Sequence, residues 1–178
     1  MSTRKTADDD GDILDLLYER GKQRASRIPE FDVERTISRA RAAHDAGAVN
    51  FWIVLNPTER RAFESASHKQ TFAPGTALMR EGERADEVIV ILEGWTVVCL
   101  NEDGRERGIA ERGPGDLIGE RGTVPGNVRS ASVVAVDTVQ ALVMRTADYA
   151  GFIAEYPGVP DLVKKQTYDR GTGRPDLT

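Results

Sequence analysis

The chain has 178 residues, which is enough for one domain of ordinary size with an additional segment. Its net charge of −5 argues against extensive nucleic-acid binding, because that function requires a basic surface. No apolar run approaches the ~20 residues that span a bilayer, and the polar N-terminus lacks the apolar core of a signal peptide. We therefore expect a cytoplasmic protein with no membrane partner.

The cysteine and histidine content excludes two classes of site. Cys99 is the only cysteine, so no intrachain disulfide forms, and its place inside W-T-V-V-C-L predicts a buried thiol. The two histidines, His44 and His68, are too few and too distant to build a metal site with it. No nucleophile–base pair stands out, so we expect neither an enzyme nor a bound cofactor.

The N-terminal part divides into a tail and a helical extension. Residues 1–10 are polar and acidic, and we expect them to be disordered. Residues 11–50 carry apolar positions at helical spacing, which predicts a short helix from Asp12 and a second helix from Phe31 to Ala46. The charged faces of these helices are either a solvated surface or a docking element, including a homodimer contact.

A third helix is marked by strong local signals. Phe51 to Leu55 is expected to be a buried anchor. Asn56, Pro57 and Glu59 then provide an N-cap, a first-turn proline and the acid of a capping box. We expect this helix to end near His68, with the imidazole interacting with the helix C-terminus.

Short β-type runs follow His68, separated by Gly- and Pro-containing turns. They read Q-T-F-A, T-A-L-M, E-V-I-V-I-L, W-T-V-V-C-L, R-G-I-A, R-S-A-S-V-V-A-V and V-Q-A-L-V-M. Seven or eight short strands at this spacing predict an antiparallel sandwich or barrel. A helix with Thr146 as N-cap then places Tyr149 and Phe152 on one side and stops at Pro157. A last helix is predicted over residues 160–170, with Leu162 and Val163 facing inward, and residues 171–178 form a loose tail.

The candidate site lies between Arg112 and Ala135. A Gly/Pro turn leads to Gly119 and Glu120, a second glycine-bearing loop follows, and Arg129 opens an apolar strand. A carboxylate accepts hydrogen bonds from hydroxyls, a guanidinium binds phosphate with two parallel donors, and glycines allow close approach of backbone N–H groups to an anion. The pattern suits a ligand with a sugar diol and a phosphate, or else a simple ion pair at the barrel edge.

These residues resemble the phosphate-binding cassette of the cyclic nucleotide-binding domain family. G-P-G-D-L-I-G-E and R-S-A-S-V-V-A match the cassette, and F-A-P-G-T-A-L-M-R-E-G-E resembles the family's first hairpin. The likeness runs from Phe51 to Pro157. It implies a mainly β protein, an antiparallel jelly-roll barrel with flanking helices, with residues 51–170 as the ligand-binding module.

The resemblance also implies a ligand, cAMP or cGMP, and roles for individual residues. Glu120 would hold the ribose 2′-hydroxyl, Arg129 the cyclic phosphate, and Gly119 would offer its N–H group. Ser130 stands where cGMP-preferring relatives place a hydroxyl. The remaining predicted contacts, the last three of them secondary, are Ala131, Arg121, Ile118 and Leu162. Arg121 departs from the family because a leucine usually follows the acid, and Pro125 and Gly126 weaken the helical turn found there.

We expect a cyclic nucleotide sensor that signals through a separate effector protein. One alternative is a degenerate barrel that serves as a protein interaction module. A transcription regulator is less favoured, because only 21 residues follow Pro157 and these are too few for a helix-turn-helix. A metal-dependent cupin is excluded by the lack of histidine between Lys69 and Thr146.

Overall fold

A computed structural model describes residues 35, 37–39, 41–42, 50–123 and 126–161, with Gly122 and Thr123 described in the backbone only. Several predictions fall outside these residues. They concern the two terminal tails, the helix from Asp12, the helix over residues 160–170 beyond its first two residues, and the side chains of His44, Leu162 and Val163.

In the described part of the chain, eight antiparallel strands form two four-stranded sheets, which confirms the predicted jelly-roll barrel. The first sheet has the order β1-β8-β3-β6 and the second the order β2-β7-β4-β5. The strands are β1 His68–Phe72, β2 Ala77–Met79, β3 Glu87–Glu93, β4 Thr96–Glu102, β5 Arg105–Arg112, β6 Leu117–Ile118, β7 Ser132–Ala135 and β8 Val139–Arg145.

The inner core lies between the two sheets. Ile89 and Ile91 of β3 face this core, where they meet residues of β1, β2, β6, β7 and β8. Val88 and Val90 of the same strand point to the opposite face, because successive side chains in a strand alternate. This double burial explains why β3 is a continuous apolar run with no polar alternation.

Among the described residues, three helices cover the outer face of the first sheet. They are α1 Phe51–Val54, α2 Pro57–Ser65 and α3 Thr146–Glu155. Phe63 and Phe152 meet edge to face with ring centroids 5.3 Å apart, and the cluster continues to Phe51 and Leu142. In the described part of the chain, no helix combines the length and the hydrophobicity needed to cross a membrane.

The outer face of the second sheet is also covered. Residues 35, 37–39 and 41–42 are helical, and we call them the N-terminal helical segment. Ile37 of this segment packs in a cluster with Trp95, Val97, Cys99 and Val136. The predicted burial of Cys99 is confirmed, because the thiol side chain is only 1% exposed.

The helix α2 begins where the sequence predicts and ends earlier than predicted. The Asn56–Glu59 capping box is formed as predicted. The helix ends at Ser65, however, so the assignment of His68 to its last turn is wrong. His68 begins β1 and pairs with Val143, because pairing with β8 satisfies the backbone that a longer helix would have used.

Two smaller expectations are also corrected. Thr146 is the first residue of α3 and Arg145 is its N-cap, since the Thr146 hydroxyl donates to the Ala85 carbonyl 2.9 Å away instead of capping the helix. The anchor from Phe51 to Leu55 is buried at its two ends only. Its middle residue, Ile53, is 55% exposed because α1 turns that side toward solvent.

Candidate functional site

The candidate site begins where β6 meets a single helical turn. Leu117 and Ile118 pair with Val90 and Ile89 of β3, and the chain then passes through Gly119 into a 3-10 turn, Glu120–Thr123. A helical turn is thus present here, and the predicted weakening of this turn by Pro125 and Gly126 stays a prediction, because Pro125 lies outside the described residues. The sequence did not indicate β6, because two residues are too few to show a strand pattern.

Gly119 allows the backbone to reach the site in a conformation closed to most residues. Its φ is +86°, and a Cβ atom there would lie 2.5 Å from the Arg129 Nη1 atom and 2.5 Å from the Met79 Cε atom. Both features require glycine. The glycine before Glu120 therefore holds open the space that the Arg129 side chain occupies.

Arg129 is a buried charged side chain of the cassette. It is 8% exposed, and its guanidinium donates to the carbonyl oxygens of Gly119 at 3.2 Å and Glu87 at 2.5 Å. These two bonds hold the group between the cassette and the start of β3. They also leave several of its five N–H donors available to a further acceptor.

The charge around Arg129 is negative. Burial lowers the pKa of the guanidinium below its usual range, and the charges of four carboxylates act in the opposite direction: Glu87, Asp86, Glu120 and Glu83. In the described part of the chain, none of these carboxylates forms an ion pair with Arg129. The expected alternative of a Glu120–Arg129 ion pair is thus not the arrangement found.

The backbone beside Arg129 is held by the turn that follows β2. The Arg129 N–H donates to the Glu83 carbonyl at 2.8 Å, and the Gly82 N–H donates to the Arg129 carbonyl at 2.9 Å. Among the hydrogen bonds of the described residues, none uses the N–H groups of Ser130 and Ala131. Two adjacent N–H donors next to a buried guanidinium are a suitable arrangement for binding an anion.

Glu120 lies at the first position of the 3-10 turn and is half-buried. The Glu120 charge also affects Tyr149 of α3. Burial raises the pKa of the Tyr149 phenol, and the Glu120 carboxylate raises this pKa further. The Glu120 charge therefore acts on both the Arg129 guanidinium and the Tyr149 phenol. Tyr149 and Phe152 are themselves core residues, 5% exposed each.

The remaining predicted contacts are scattered around this centre. Ser130 is exposed, Ala131 is half-buried, and Ile118 is 4% exposed in the inner core. The Arg121 side chain is exposed, and its carbonyl accepts from the Asn127 amide at 3.4 Å. Leu162 lies outside the described residues.

Two buried polar residues that the sequence did not single out fix the turn before β6. The Asp116 carboxylate accepts from the Gly113 N–H at 2.9 Å, and the Asn50 amide donates to the Pro114 carbonyl at 3.2 Å. The Asn50 side chain lies so close to Gly115 that a Cβ atom there would overlap it. In the sequence, the G-P-G-D motif indicates a turn that ends in an acidic residue, but it does not indicate the contact with Asn50.

Comparisons with known proteins decide the family. Residues 69–156 match the family model described as cyclic nucleotide-binding domain. This part of the chain belongs to the cyclic nucleotide-binding domain family. The two-sheet barrel and the predicted family resemblance are thereby confirmed together.

Relatives of the domain occur in proteins of different architecture. A cyclic nucleotide-gated potassium channel of Mesorhizobium japonicum is 28% identical over 123 residues, which cover 69% of this chain and 33% of the channel. The chain thus spans about a third of that relative's length.

Solved structures show the same fold. The catabolite activator protein of Thermus thermophilus is 26% identical with a TM-score of 0.60, over 67% of this chain and 57% of that one. The regulatory subunit of a cAMP-independent protein kinase A from Trypanosoma brucei is 25% identical with a TM-score of 0.59, over 75% and 49%. Both are regulatory proteins.

Proposed function

We propose that this protein binds a cyclic nucleotide, cAMP or cGMP, at the cassette and passes the signal to a separate effector protein. The proposed activity is binding and not catalysis, and the nucleotide is a ligand, not a cofactor. We assign the ligand module to residues 51–170, which contain the matched range, and the helical extension to residues 11–50. A cytoplasmic location fits a sequence with a single cysteine, which cannot form an intrachain disulfide.

The buried guanidinium of Arg129 is the single observation that carries this proposal. A charged group that is 8% exposed and forms no direct ion pair among the described residues loses hydration, and the four carboxylates near it compensate for this loss only from a longer distance. A bound cyclic phosphate would supply one negative charge and two acceptors in the geometry that a guanidinium prefers. The N–H groups of Ser130 and Ala131 would add donors to the same phosphate.

Glu120 supports the sugar end of the proposed ligand. Its half-buried carboxylate accepts hydrogen bonds only, and a ribose 2′-hydroxyl is a donor of the right kind. It lies in the same short cassette as Arg129. Ser130, exposed directly after Arg129, is suited to contact a guanine amino group, so we test both nucleotides.

Calorimetric titration with cAMP and cGMP tests the proposal. We expect one site per chain, and a loss of affinity of about 100-fold in Arg129→Lys, because an ammonium lacks the two parallel donors. Glu120→Gln should weaken binding by about 10-fold, since the amide accepts a weaker hydrogen bond than the carboxylate does.

Arg84→Ala is the matched control, because Arg84 lies on the neighbouring turn with its side chain 85% exposed and paired with Asp86. It should bind like the unchanged protein. Arg121→Ala reports whether the unusual arginine contacts the ligand, and its exposure predicts a change below about threefold. The absence of heat with both nucleotides, in protein shown to be folded by circular dichroism, would reject the proposal.

A second candidate, a barrel that no longer binds cyclic nucleotide and serves as an interaction module, has one observation in its favour. The kinase regulatory subunit of Trypanosoma brucei shares this fold and is described as cAMP-independent. The Arg129 guanidinium also already has two backbone acceptors. The same titration separates the candidates, since only the sensor gives heat that Arg129→Lys removes. A transcription regulator remains a third, less favoured candidate, tested by a gel shift at low salt.

A further inference from the structure

The N-terminal helical segment makes a small and mixed contact with the outer face of the second sheet. Of its described residues, Ile37 is the buried one, 5% exposed, and it packs in one cluster with Val97 and Cys99 of β4. The Arg41 guanidinium lies 3.2 Å from the Asp137 carboxylate. Its carbon atom Cζ also lies 5.9 Å from the centroid of the Trp95 ring.

Each of these contacts is individually weak. The ion pair is open to water, with the Arg41 side chain 53% exposed and the Asp137 side chain 25% exposed, so solvent screens it. A cation–π contact at an exposed site adds little more. The apolar part depends on one aliphatic side chain in the described residues. A contact of this kind can open while the two sheets and their inner core stay folded.

The receiving surface, in contrast, is built rigidly. Asp137 is fixed by its second oxygen, which accepts from the Trp95 N–H at 2.6 Å. The Val136 N–H donates to the Trp95 carbonyl at 2.9 Å. Gly94 beside them is closely packed, because a Cβ atom there would lie 2.3 Å from the Thr138 carbonyl oxygen. The surface therefore stays in place whether or not the segment is docked.

The receiving surface is also continuous with the candidate site. Val136 and Asp137 directly follow β7, and Arg129 lies three residues before the same strand. Within β7, Ser132 pairs with Cys99 and Ala135 pairs with Thr96. The four-residue strand β7 thus connects the chain near Arg129 to Val136 and Asp137, which take part in the contact with the segment.

We propose that the N-terminal helical segment is a releasable cover on the outer face of the second sheet, held by Ile37 and Arg41 and seated at the end of the strand that follows Arg129. Its release exposes the apolar surface of Val97 and Cys99 without unfolding the barrel. The occupant of this surface is the protein's own segment. The proposal does not depend on which ligand the cassette binds.

The single cysteine of the chain gives a direct measurement of release. Cys99 lies under Ile37 and is 1% exposed, so a chromogenic disulfide reagent reacts with it only when the cover opens or the whole domain unfolds. The rate of labelling is measured in the full chain at low urea concentrations. We expect a rate that hardly depends on urea, because opening the cover exposes little surface.

Substitutions in the cover identify the residues that hold it. Arg41→Ala should raise the labelling rate about fivefold, and Ile37→Ala by about 20-fold or more. Arg39→Ala is the matched control: an arginine of the same segment whose side chain is exposed, expected to label within about twofold of the unchanged protein. Near-ultraviolet circular dichroism confirms that each variant keeps the packed barrel.

Two results would overturn the proposal. One is a labelling rate that rises with urea as steeply as global unfolding does. The other is an equal labelling rate in Ile37→Ala, Arg41→Ala and Arg39→Ala. Arg41→Ala keeps the test valid even where Ile37→Ala disturbs folding, because the Arg41 side chain lies at the solvent side of the contact.

Discussion

At the scale of single residues, the candidate site depends on a close fit between one glycine and one arginine. Gly119 has a left-handed φ of +86°, and the Arg129 side chain fills the space where its Cβ atom would be. The Gly119 carbonyl then accepts a hydrogen bond from that same side chain. Backbone conformation and charge placement are therefore set by the same pair of residues.

Gly119→Ala should lower the free energy of unfolding by about 2–4 kcal/mol, since it combines a strained φ with overlap against Arg129 and Met79. Gly126→Ala is the matched control: its φ is +85° and a Cβ atom there meets nothing within 4 Å. It should cost only about 1 kcal/mol. Urea unfolding of both variants checks this, and equal losses would mean that the close approach is unimportant.

Tyr149 gives a prediction for alkaline pH. Burial raises its pKa in the folded protein above the value of about 10 expected for the unfolded chain. Above pH 10 the unfolded chain loses this proton while the native protein keeps it. The stabilising contribution is therefore complete below about pH 10 and is lost as the pH rises further.

Melting temperatures between pH 9 and pH 11 test the role of Tyr149. The unchanged protein should lose stability above pH 10 by up to about 1.4 kcal/mol per pH unit from this residue, and Tyr149→Phe should remove that loss. Tyr156→Phe, at the more exposed end of the same helix, should keep most of it. Identical slopes in all three proteins would contradict the assignment.

At the scale of elements, two asparagines begin helices in different surroundings. Asn56 caps α2 at the surface, where its side chain accepts from the Thr58 and Glu59 N–H groups. Asn50 caps α1 in the interior, 1% exposed, and also donates to the Pro114 carbonyl in the turn before β6. The buried cap thus connects a helix to the loop that leads into the candidate site.

Asn50→Ala should destabilise the protein more than Asn56→Ala. It leaves the Pro114 carbonyl and the Ile53 N–H without their partners, at a cost of about 2–4 kcal/mol. Asn56→Ala removes an exposed cap worth about 1 kcal/mol, since water replaces the lost bonds. Chemical denaturation of the two variants measures both values, and a larger loss for Asn56→Ala would show that the buried turn contributes little.

At the scale of the whole molecule, the first sheet is covered by α1, α2 and α3, and the second by the N-terminal helical segment. The candidate site lies at one end of β7, and Val136 and Asp137, which take part in the contact with the cover, directly follow its other end. A ligand that binds Arg129 is expected to reduce the motion of this strand. Reduced motion of β7 would in turn favour the docked cover.

Saturating nucleotide should therefore slow the labelling of Cys99 by about threefold or more. This expectation depends on the proposed function, and calorimetry on the same sample separates the two. Heat of binding without a change in the labelling rate would show that β7 does not connect the sites. Arg129→Lys at the same nucleotide concentration is the control, and its labelling rate should not respond.

Features that depend on neighbouring residues could be predicted from the sequence alone. The capping box at Asn56 and the β-type runs separated by glycine turns depend on neighbouring residues only, and they were predicted correctly. The burial of Cys99 followed from its apolar surroundings. The roles of Glu120 and Arg129 toward a ligand stay predictions.

Contacts between distant parts of the chain decided the rest. His68 lies in a strand and not in the predicted helix, because it pairs with Val143 of β8, which is 75 positions later in the chain. The Arg129 guanidinium donates to the backbone carbonyl oxygens of Gly119 and Glu87. Backbone acceptors of this kind cannot be predicted from a pattern of side chains. Ile37 belongs to a helical pattern that the sequence shows, but only the folded barrel presents the apolar face that it covers. Such partners are determined by tertiary packing, because folding pairs backbone groups and buries apolar surface between residues that are far apart in the sequence.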